Sequence, residues 1–201
     1  MPMDFWGIKT SGLEIAGAIS ALLYLVLIAH KFRLAWVLYI ASSFFYAIVF
    51  WRESLYGDSV LQTFFIVVGF YGWRTWSDVQ PQAVVLRRMA RESHISGIGG
   101  ILLFTLVLGG GLYSYTDAGV YAFPDSFILA GSVIATFLTI GRFIENWWYW
   151  VVINATTIVV YYRKEMPLTV CLASFYFLLS FYGLREWLRG SVINDSDPIS
   201  R

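Results

Sequence analysis

The sequence predicts an all-α polytopic membrane protein, with seven transmembrane helices arranged as two parallel three-helix repeats joined by one linker helix. Three observations predict this class. The 201-residue chain is 58% hydrophobic and only 13% charged, whereas a soluble domain carries roughly 25% charged residues. Its apolar residues fall into seven runs of membrane-spanning length. The last three runs repeat the first three at a constant offset of 111 residues.

The apolar runs have the length and pattern of membrane helices. Most are 16 to 21 residues long, and a helix needs about 20 residues to cross the hydrocarbon core. In lipid, only a helix or a closed barrel satisfies its own backbone hydrogen bonds, and the runs lack the alternation of a barrel strand. They cover about 12–30, 34–51, 58–76, 95–115, 125–141, 146–162 and 167–187.

The internal repeat is ungapped. Between 13–76 and 124–187, 12 of 64 positions are identical, and several of the matches are rare Trp, Tyr or Gly residues. The run Phe70–Trp76 aligns with Phe181–Trp187. Such duplication in a membrane chain is typical of transporters.

The run at 95–115 has no partner in the repeat, and one extra crossing gives the two flanking repeats the same orientation in the membrane. We therefore expect a first repeat at 12–76, a cytoplasmic loop and linker helix at 77–116, a second repeat at 124–188 and a disordered tail at 191–201. Within the loop, 77–94 has the pattern either of a short basic amphipathic helix on the inner leaflet or of a solvated linker.

The distribution of basic residues predicts the orientation. One set of loops holds ten Lys and Arg residues, and the opposite set holds four. The positive-inside rule therefore places the N-terminus outside and the C-terminus in the cytoplasm. The first apolar run lacks a clean cleavage site and is expected to be retained as a span.

The remaining composition argues against several classes of function. The single Cys171 and the distant His30 and His94 give no metal-ligand spacing, so no metal or cofactor is expected. No basic block with interleaved aromatics suggests a nucleic-acid partner. A membrane enzyme would need clustered acids or histidines at one interface, which this sequence lacks. A structural or sensor protein remains an alternative, and a homo-oligomer remains open.

The sixth run contains the most unusual polar pattern. Helical spacing places Trp147, Trp150, Asn154, Thr157 and Tyr161 on one stripe. An amide in mid-membrane costs free energy unless it finds partners, and flanking aromatic rings suit a flat ligand with polar edges. The alternative is that Trp147 belongs to an interfacial aromatic belt and that Asn154 bonds another helix.

The third run supplies a second mid-membrane amide, Gln62, on a face that continues through Trp73. The repeat offset pairs Gln62 with Ala173 and Asn154 with Ser43, so neither amide has a counterpart in the other repeat. This asymmetry predicts a shared site for an asymmetric ligand, although helix–helix hydrogen bonding by Gln62 remains open.

Two tyrosines at equivalent repeat positions, Tyr71 and Tyr182, are candidates for gating or lining the pathway. The alternative is a place in the aromatic belt. Glu14, Asp125 and Glu145 lie near run ends and are expected to be interfacial, since none forms a deep acidic pair suited to a proton relay or sodium site.

These motifs resemble the PnuC family of bacterial vitamin transporters over about residues 12–188. The first-repeat resemblance is carried by Gln62–Phe65 and Tyr71–Trp76, and the second by Glu145–Trp150 with Asn154, Tyr161, Lys164 and Leu168–Thr169. Two departures, Trp148 and Cys171–Ala173, bear on the choice of vitamin.

The resemblance implies a three-one-three helix arrangement like that of the SWEET sugar transporters. It also implies uptake of nicotinamide riboside by facilitated diffusion with alternating access, made one-way by intracellular phosphorylation that feeds NAD synthesis. By position, it implies substrate contacts from Trp147 or Trp150, from Asn154 and from Gln62. Nicotinamide riboside is a flat cation, and Trp faces attract cations. Thiamine is also a flat cation and is the first alternative, ahead of other vitamins and nucleosides.

Overall fold

A computed structural model describes residues 3–5, 8–52, 56–77, 84–116, 119–189 and 192–194. These ranges contain seven α-helices, which confirms the all-helical class, and four three-residue strands. The chain divides into two compact units, Met1–Ala83 and Val84–Arg201. The helices are α1 Gly12–Ala29, α2 Ala35–Arg52, α3 Tyr56–Thr75, α4 Arg91–Tyr115, α5 Ala122–Ile140, α6 Asn146–Arg163 and α7 Pro167–Leu188.

The helix boundaries follow the apolar runs closely, because each run is set off by charged, glycine or proline positions. Among the described residues, four helical segments are long and apolar enough to cross a membrane: α1, α2, α4 and the segment Gly119–Ile140, in which a short 3-10 turn leads into α5. Helices α3 and α6 contain tryptophan, tyrosine and amide residues that lower their mean hydropathy. The protein is a multi-pass membrane protein.

The first unit begins with a hairpin of β1 (Met3–Phe5) and β2 (Ile8–Thr10). Ser11 then caps the start of helix α1, and its Oγ accepts a hydrogen bond from the backbone N–H of Glu14 at 3.2 Å. This contact satisfies one of the unpaired donors of the first turn. Helices α1 and α2 pack together, and α2 packs on α3.

The α1–α2 connection is a Schellman turn. Lys31 adopts a left-handed φ of 64°, and the N–H of Phe32 bonds the carbonyl of Leu27 at 2.9 Å. The α5–α6 connection repeats this geometry: Arg142 has a φ of 62°, and the N–H of Phe143 bonds the carbonyl of Leu138 at 3.0 Å. Both turns satisfy carbonyls of the last helical turn.

An aromatic cluster fills the core of the first unit. Trp36 and Trp76 are fully buried, with ring centroids 6.0 Å apart. Gly72 lies directly against Trp36, since a β-carbon at this glycine would fall 2.4 Å from the ring. Tyr24 and Tyr39 complete the cluster through ring contacts of 5.0 to 6.0 Å.

The second unit has a matching cluster. Trp147 and Trp187 are fully buried, their ring centroids are 5.5 Å apart, and Gly183 lies directly against Trp147. Helix α4 packs on α5, α5 on α6, and α6 on α7. Helix α4, which the sequence predicts to be a linker, therefore belongs to the same compact unit as α5, α6 and α7.

The segment before α4 differs from both expectations for 77–94. In its described part, Val85–Arg87 forms strand β3, which pairs in parallel with β4 (Val192–Asn194) and bonds the α5–α6 turn. The apolar side chains of Val84 and Leu86 alternate inward and are buried. A helix at this position would not form these backbone hydrogen bonds with β4 and with the α5–α6 turn. Residues 78–83 lie outside the described ranges.

Strand β4 also corrects part of the prediction of a disordered tail at 191–201. Val192–Asn194 is ordered as a strand because β3 supplies its backbone hydrogen bonds. Residues 190–191 and 195–201 lie outside the described ranges, so the prediction for them stays a prediction.

Candidate functional site

Helix α6 carries the stripe of candidate binding residues, and two polar residues at its start position it. Buried Asn146 accepts a hydrogen bond from Thr139 Oγ1 at 3.1 Å and donates one to the carbonyl of Phe143 at 2.6 Å. Glu145 accepts a hydrogen bond from the N–H of Met89 at 3.1 Å. The Glu-Asn pair of the second-repeat motif therefore links α6 to α5 and to the segment before α4.

Trp147 lies in the packed core of the second unit. Its side chain is 1% exposed and its ring contacts Trp187 and Gly183. Its indole Nε1 is buried without a hydrogen-bond partner among the described residues, as is that of Trp36 at the equivalent repeat position. In this conformation, protein atoms cover the ring of Trp147.

Trp150 is placed differently, although it lies on the same stripe of α6. Its side chain is half-buried, and among the described residues no ring or cation contacts its indole. An aromatic face without an occupant suits stacking on a flat ligand. Of the two candidate stacking tryptophans, Trp150 has the accessible ring.

Asn154 lies four residues further along α6 and is 7% exposed. Its Nδ2 donates a hydrogen bond to Ser180 Oγ on α7 at 3.3 Å. The Ser180 hydroxyl donates its own hydrogen to the carbonyl of Tyr176 at 2.8 Å. Since Ser180 Oγ can then only accept, it fixes which end of the amide faces α7. In the described part of the chain Oδ1 has no partner, so it remains available as an acceptor.

Tyr161 lies near the far end of α6, within a cluster of charged and aromatic groups. Lys164 forms an ion pair with Asp125 at 2.7 Å. The same ammonium lies 5.0 Å from the ring centroids of Tyr121 and Tyr161. Asp125 was expected to be interfacial; it lies in the first turn of α5 and is paired with a lysine.

Gln62 is the corresponding candidate in the first unit. Its side chain is half-buried on α3, and among the described residues its amide makes no hydrogen bond. An amide in an apolar span without a protein partner is costly. This placement does not provide the helix–helix hydrogen bond that was the alternative reading of Gln62.

Trp73 is half-buried, and one face of its ring is covered. The guanidinium carbon of Arg33 lies 3.8 Å from the ring centroid, and Arg33 Nε donates to the backbone carbonyl of Trp73 at 3.0 Å. Arg33 comes from the α1–α2 turn and caps the end of α3. Sequence reasoning missed this contact because 40 residues separate the two partners.

The two candidate gating tyrosines are both exposed, Tyr71 by 55% and Tyr182 by 39%. Tyr71 lines an open recess at the end of α3, together with Trp73 and Arg33.

In the second unit, a cavity of about 340 Å³ between α4, α5 and α6 is lined by His94, Trp148 and Tyr149, with apolar residues around them. Tyr149 hydroxyl and His94 Nδ1 are 3.1 Å apart.

Ser180 is the functional candidate that the sequence reasoning missed. It is 1% exposed, and the repeat offset pairs it with Gly69. That mismatch is the sequence signal for Ser180, because α7, which packs on α6, has a serine where the first repeat has a glycine.

In the described ranges, no three His, Cys, Asp or Glu side chains come close enough to hold a metal ion.

Comparison with known proteins agrees with this architecture. The Nicotinamide riboside transporter PnuC of Escherichia coli (strain K12) is 24% identical over 229 residues, covering 100% of this chain and 95% of that protein. The Riboflavin/roseoflavin transporter RibM of Streptomyces davaonensis is 21% identical over 149 residues, covering 72% of this chain and 70% of that one.

The fold is also similar to a solved structure. The crystal structure of the vitamin B3 transporter PnuC matches with a TM-score of 0.67 at 22% identity, covering 88% of this chain and 80% of that one. The profile of the family described as "Nicotinamide mononucleotide transporter" matches residues 11–189. This confirms the resemblance found in the motifs and argues against an enzyme: the chain belongs to this family of membrane transporters.

Proposed function

We propose that the protein takes up nicotinamide riboside across a bacterial inner membrane, and that Trp150 and Asn154 contact the substrate. The observation that carries the proposal is their geometry on α6. An accessible indole face lies one helical turn from a buried amide that Ser180 holds in one orientation. Its full-length relative in Escherichia coli, which is named for this substrate, supports the choice.

The chemistry of nicotinamide riboside fits these two side chains. Its pyridinium ring is flat and cationic, so stacking on Trp150 would contribute about 2 kcal/mol or more when the pair is desolvated. Its carboxamide and ribose hydroxyls can donate to Asn154 Oδ1. Gln62 offers a second amide that needs a partner.

A nucleoside suits α6 better than its phosphorylated form. Between Asn146 and Tyr162 the helix has no Lys, Arg or His. Lys164, just beyond its end, is already paired with Asp125. A phosphate would be moved into the membrane without a cationic partner there, at a large desolvation cost. This argument favours the riboside over the mononucleotide named in the family description.

We further propose a three-one-three architecture, with repeats at 12–76 and 124–188 and a linker helix between them. Equivalent contacts in the two units support it, since Trp36 packs against Gly72 as Trp147 packs against Gly183.

The proposed transport mode is uniport by alternating access. The carboxylate of Asp125, at the start of α5, is paired with Lys164 and is therefore not available to bind a coupling ion. The basic loops support an external N-terminus and a cytoplasmic C-terminus.

Calorimetric titration of the purified protein tests the substrate. Nicotinamide riboside, thiamine, riboflavin and nicotinamide mononucleotide should be compared under identical conditions. We expect the riboside to bind most tightly. Tighter binding of thiamine would show that the aromatic site recognises a different flat cation. Tighter binding of riboflavin would show that the substrate is the one for which the Streptomyces relative is named.

A further inference from the structure

The end of α3 carries an open recess that the proposed substrate site does not use. It has a volume of about 870 Å³, and Arg33, Arg74 and Ser77 are among the residues that line it. Thr75 also lines the recess, but its hydroxyl donates to the carbonyl of Tyr71 at 2.8 Å. The recess lies entirely within the first unit.

Arg33 is held in place by Trp73, and its remaining N–H groups are available to bind a ligand. Its Nε bonds the carbonyl of Trp73 at 3.0 Å and its plane lies over the Trp73 ring. These contacts use one of its five N–H groups as a hydrogen-bond donor. In the described part of the chain, neither Arg33 nor Arg74 has a carboxylate partner. Among the described residues, the recess therefore presents two guanidinium charges that no carboxylate neutralises.

The second unit lacks this arrangement at the equivalent positions. The repeat offset replaces Arg33 by Ile144, Trp73 by Leu184 and Thr75 by Glu186. Glu186 forms an ion pair with Arg189 at 3.6 Å. Of the recess residues, Phe70, Tyr71 and Arg74 are identical in the second repeat, and Arg74 with Arg185 is the only charged pair among them. A general interfacial anchor would be present in both copies, so the difference indicates a function specific to the first unit.

We propose that this recess binds a phosphate group, with Arg33 and Arg74 as its cationic ligands and Ser77 as a hydroxyl donor. Guanidinium groups bind phosphate oxygens through paired, charge-assisted hydrogen bonds. Arg33 also reduces the local negative potential at the end of α3, because it occupies the Trp73 carbonyl. The phosphate belongs either to an anionic phospholipid headgroup or to a soluble phosphate monoester.

Arg74→Gln is the main test, because among the described residues the Arg74 side chain makes no hydrogen bond or ion pair. Arg185→Gln is the matched control, since Arg185 is exposed at the equivalent repeat position. Arg33→Gln is a second variant, to be compared only after its thermal midpoint is measured, because it also removes the cap on Trp73.

Two arms distinguish the sources of the phosphate. In the lipid arm, the protein is extracted from vesicles that mix phosphatidylglycerol and phosphatidylcholine, and retained lipid is counted by native mass spectrometry. In the soluble arm, inorganic phosphate and nicotinamide mononucleotide are titrated against the lipid-free protein.

We expect one arm to show binding that falls about tenfold in Arg74→Gln and is unchanged in Arg185→Gln, as loss of a charge-assisted contact predicts. Selective retention of phosphatidylglycerol identifies a lipid site, and binding in the soluble arm identifies a free phosphate. No binding in either arm, or equal loss in both variants, would overturn the proposal.

Discussion

Gly183 lies so close to the Trp147 ring that a β-carbon on this glycine would fall 2.2 Å from the ring carbon Cη2. Gly72 lies against the Trp36 ring in the same way, since a β-carbon on this glycine would overlap the ring. Each pair fixes how two helices of one unit pack, because the ring fills the space that a side chain would need. The glycines of the repeated Phe-Tyr-Gly motif are thus required for close approach.

Gly183→Ala should therefore destabilise the protein by about 1–3 kcal/mol, the usual cost of forcing extra atoms into a packed core. The midpoint of thermal unfolding in detergent measures this effect. Gly110→Ala is the control, since among the described residues its β-carbon would meet no atom within 4 Å. Equal midpoints for the two variants would contradict the packing assigned to Gly183.

Ser180→Ala should weaken nicotinamide riboside binding by about tenfold, because Asn154 loses the hydrogen bond that orients its amide. Binding is measured by calorimetry. Ser174→Ala is a matched control on the same helix, since Ser174 Oγ bonds only the carbonyl of Val170 at 2.8 Å. Equal affinity in the two variants would show that Ser180 does not position Asn154.

Substitutions of the two tryptophans of the α6 stripe should have different effects, one on substrate affinity and the other on the midpoint of thermal unfolding. Trp150→Leu should weaken binding by several-fold or more, through loss of cation–π stacking, and leave the unfolding midpoint close to that of the wild type. Trp147→Leu should lower the midpoint, because it opens a cavity beside Trp187. The reverse pattern would assign the stacking role to Trp147.

Gln62→Leu tests the amide of the first unit. Because Gln62 has no hydrogen-bond partner in the described residues, leucine should leave stability unchanged or raise it. Affinity for the riboside should fall if the amide serves the ligand. A large drop in the unfolding midpoint with unchanged affinity would instead assign Gln62 to helix–helix bonding.

The sequence was sufficient to predict the seven helices, because each depends on a local apolar run. It was also sufficient to place Trp147, Trp150 and Asn154 on one face of α6. It could not show that Trp147 is buried and Trp150 half-buried, because burial depends on Gly183 on another helix. The pairing of β3 with β4 was missed for the same reason, since 107 residues separate Val85 from Val192.

Polar partners were also hard to predict. Asn154 was identified from its own position, but Ser180 and Arg33 act through contacts between segments distant in the chain. In each case the repeat offset showed a mismatch, Ser180 with Gly69 and Arg33 with Ile144. Both candidates therefore lie at departures from the internal symmetry.

Uptake of radiolabelled nicotinamide riboside into proteoliposomes tests the central claim most directly. The protein should give saturable uptake down the riboside gradient, without a sodium or proton gradient. Asn154→Ala should abolish most of this uptake while leaving the protein folded, as a cooperative thermal transition would show. Uptake no faster than in empty liposomes, or uptake that Asn154→Ala leaves unchanged, would contradict the account.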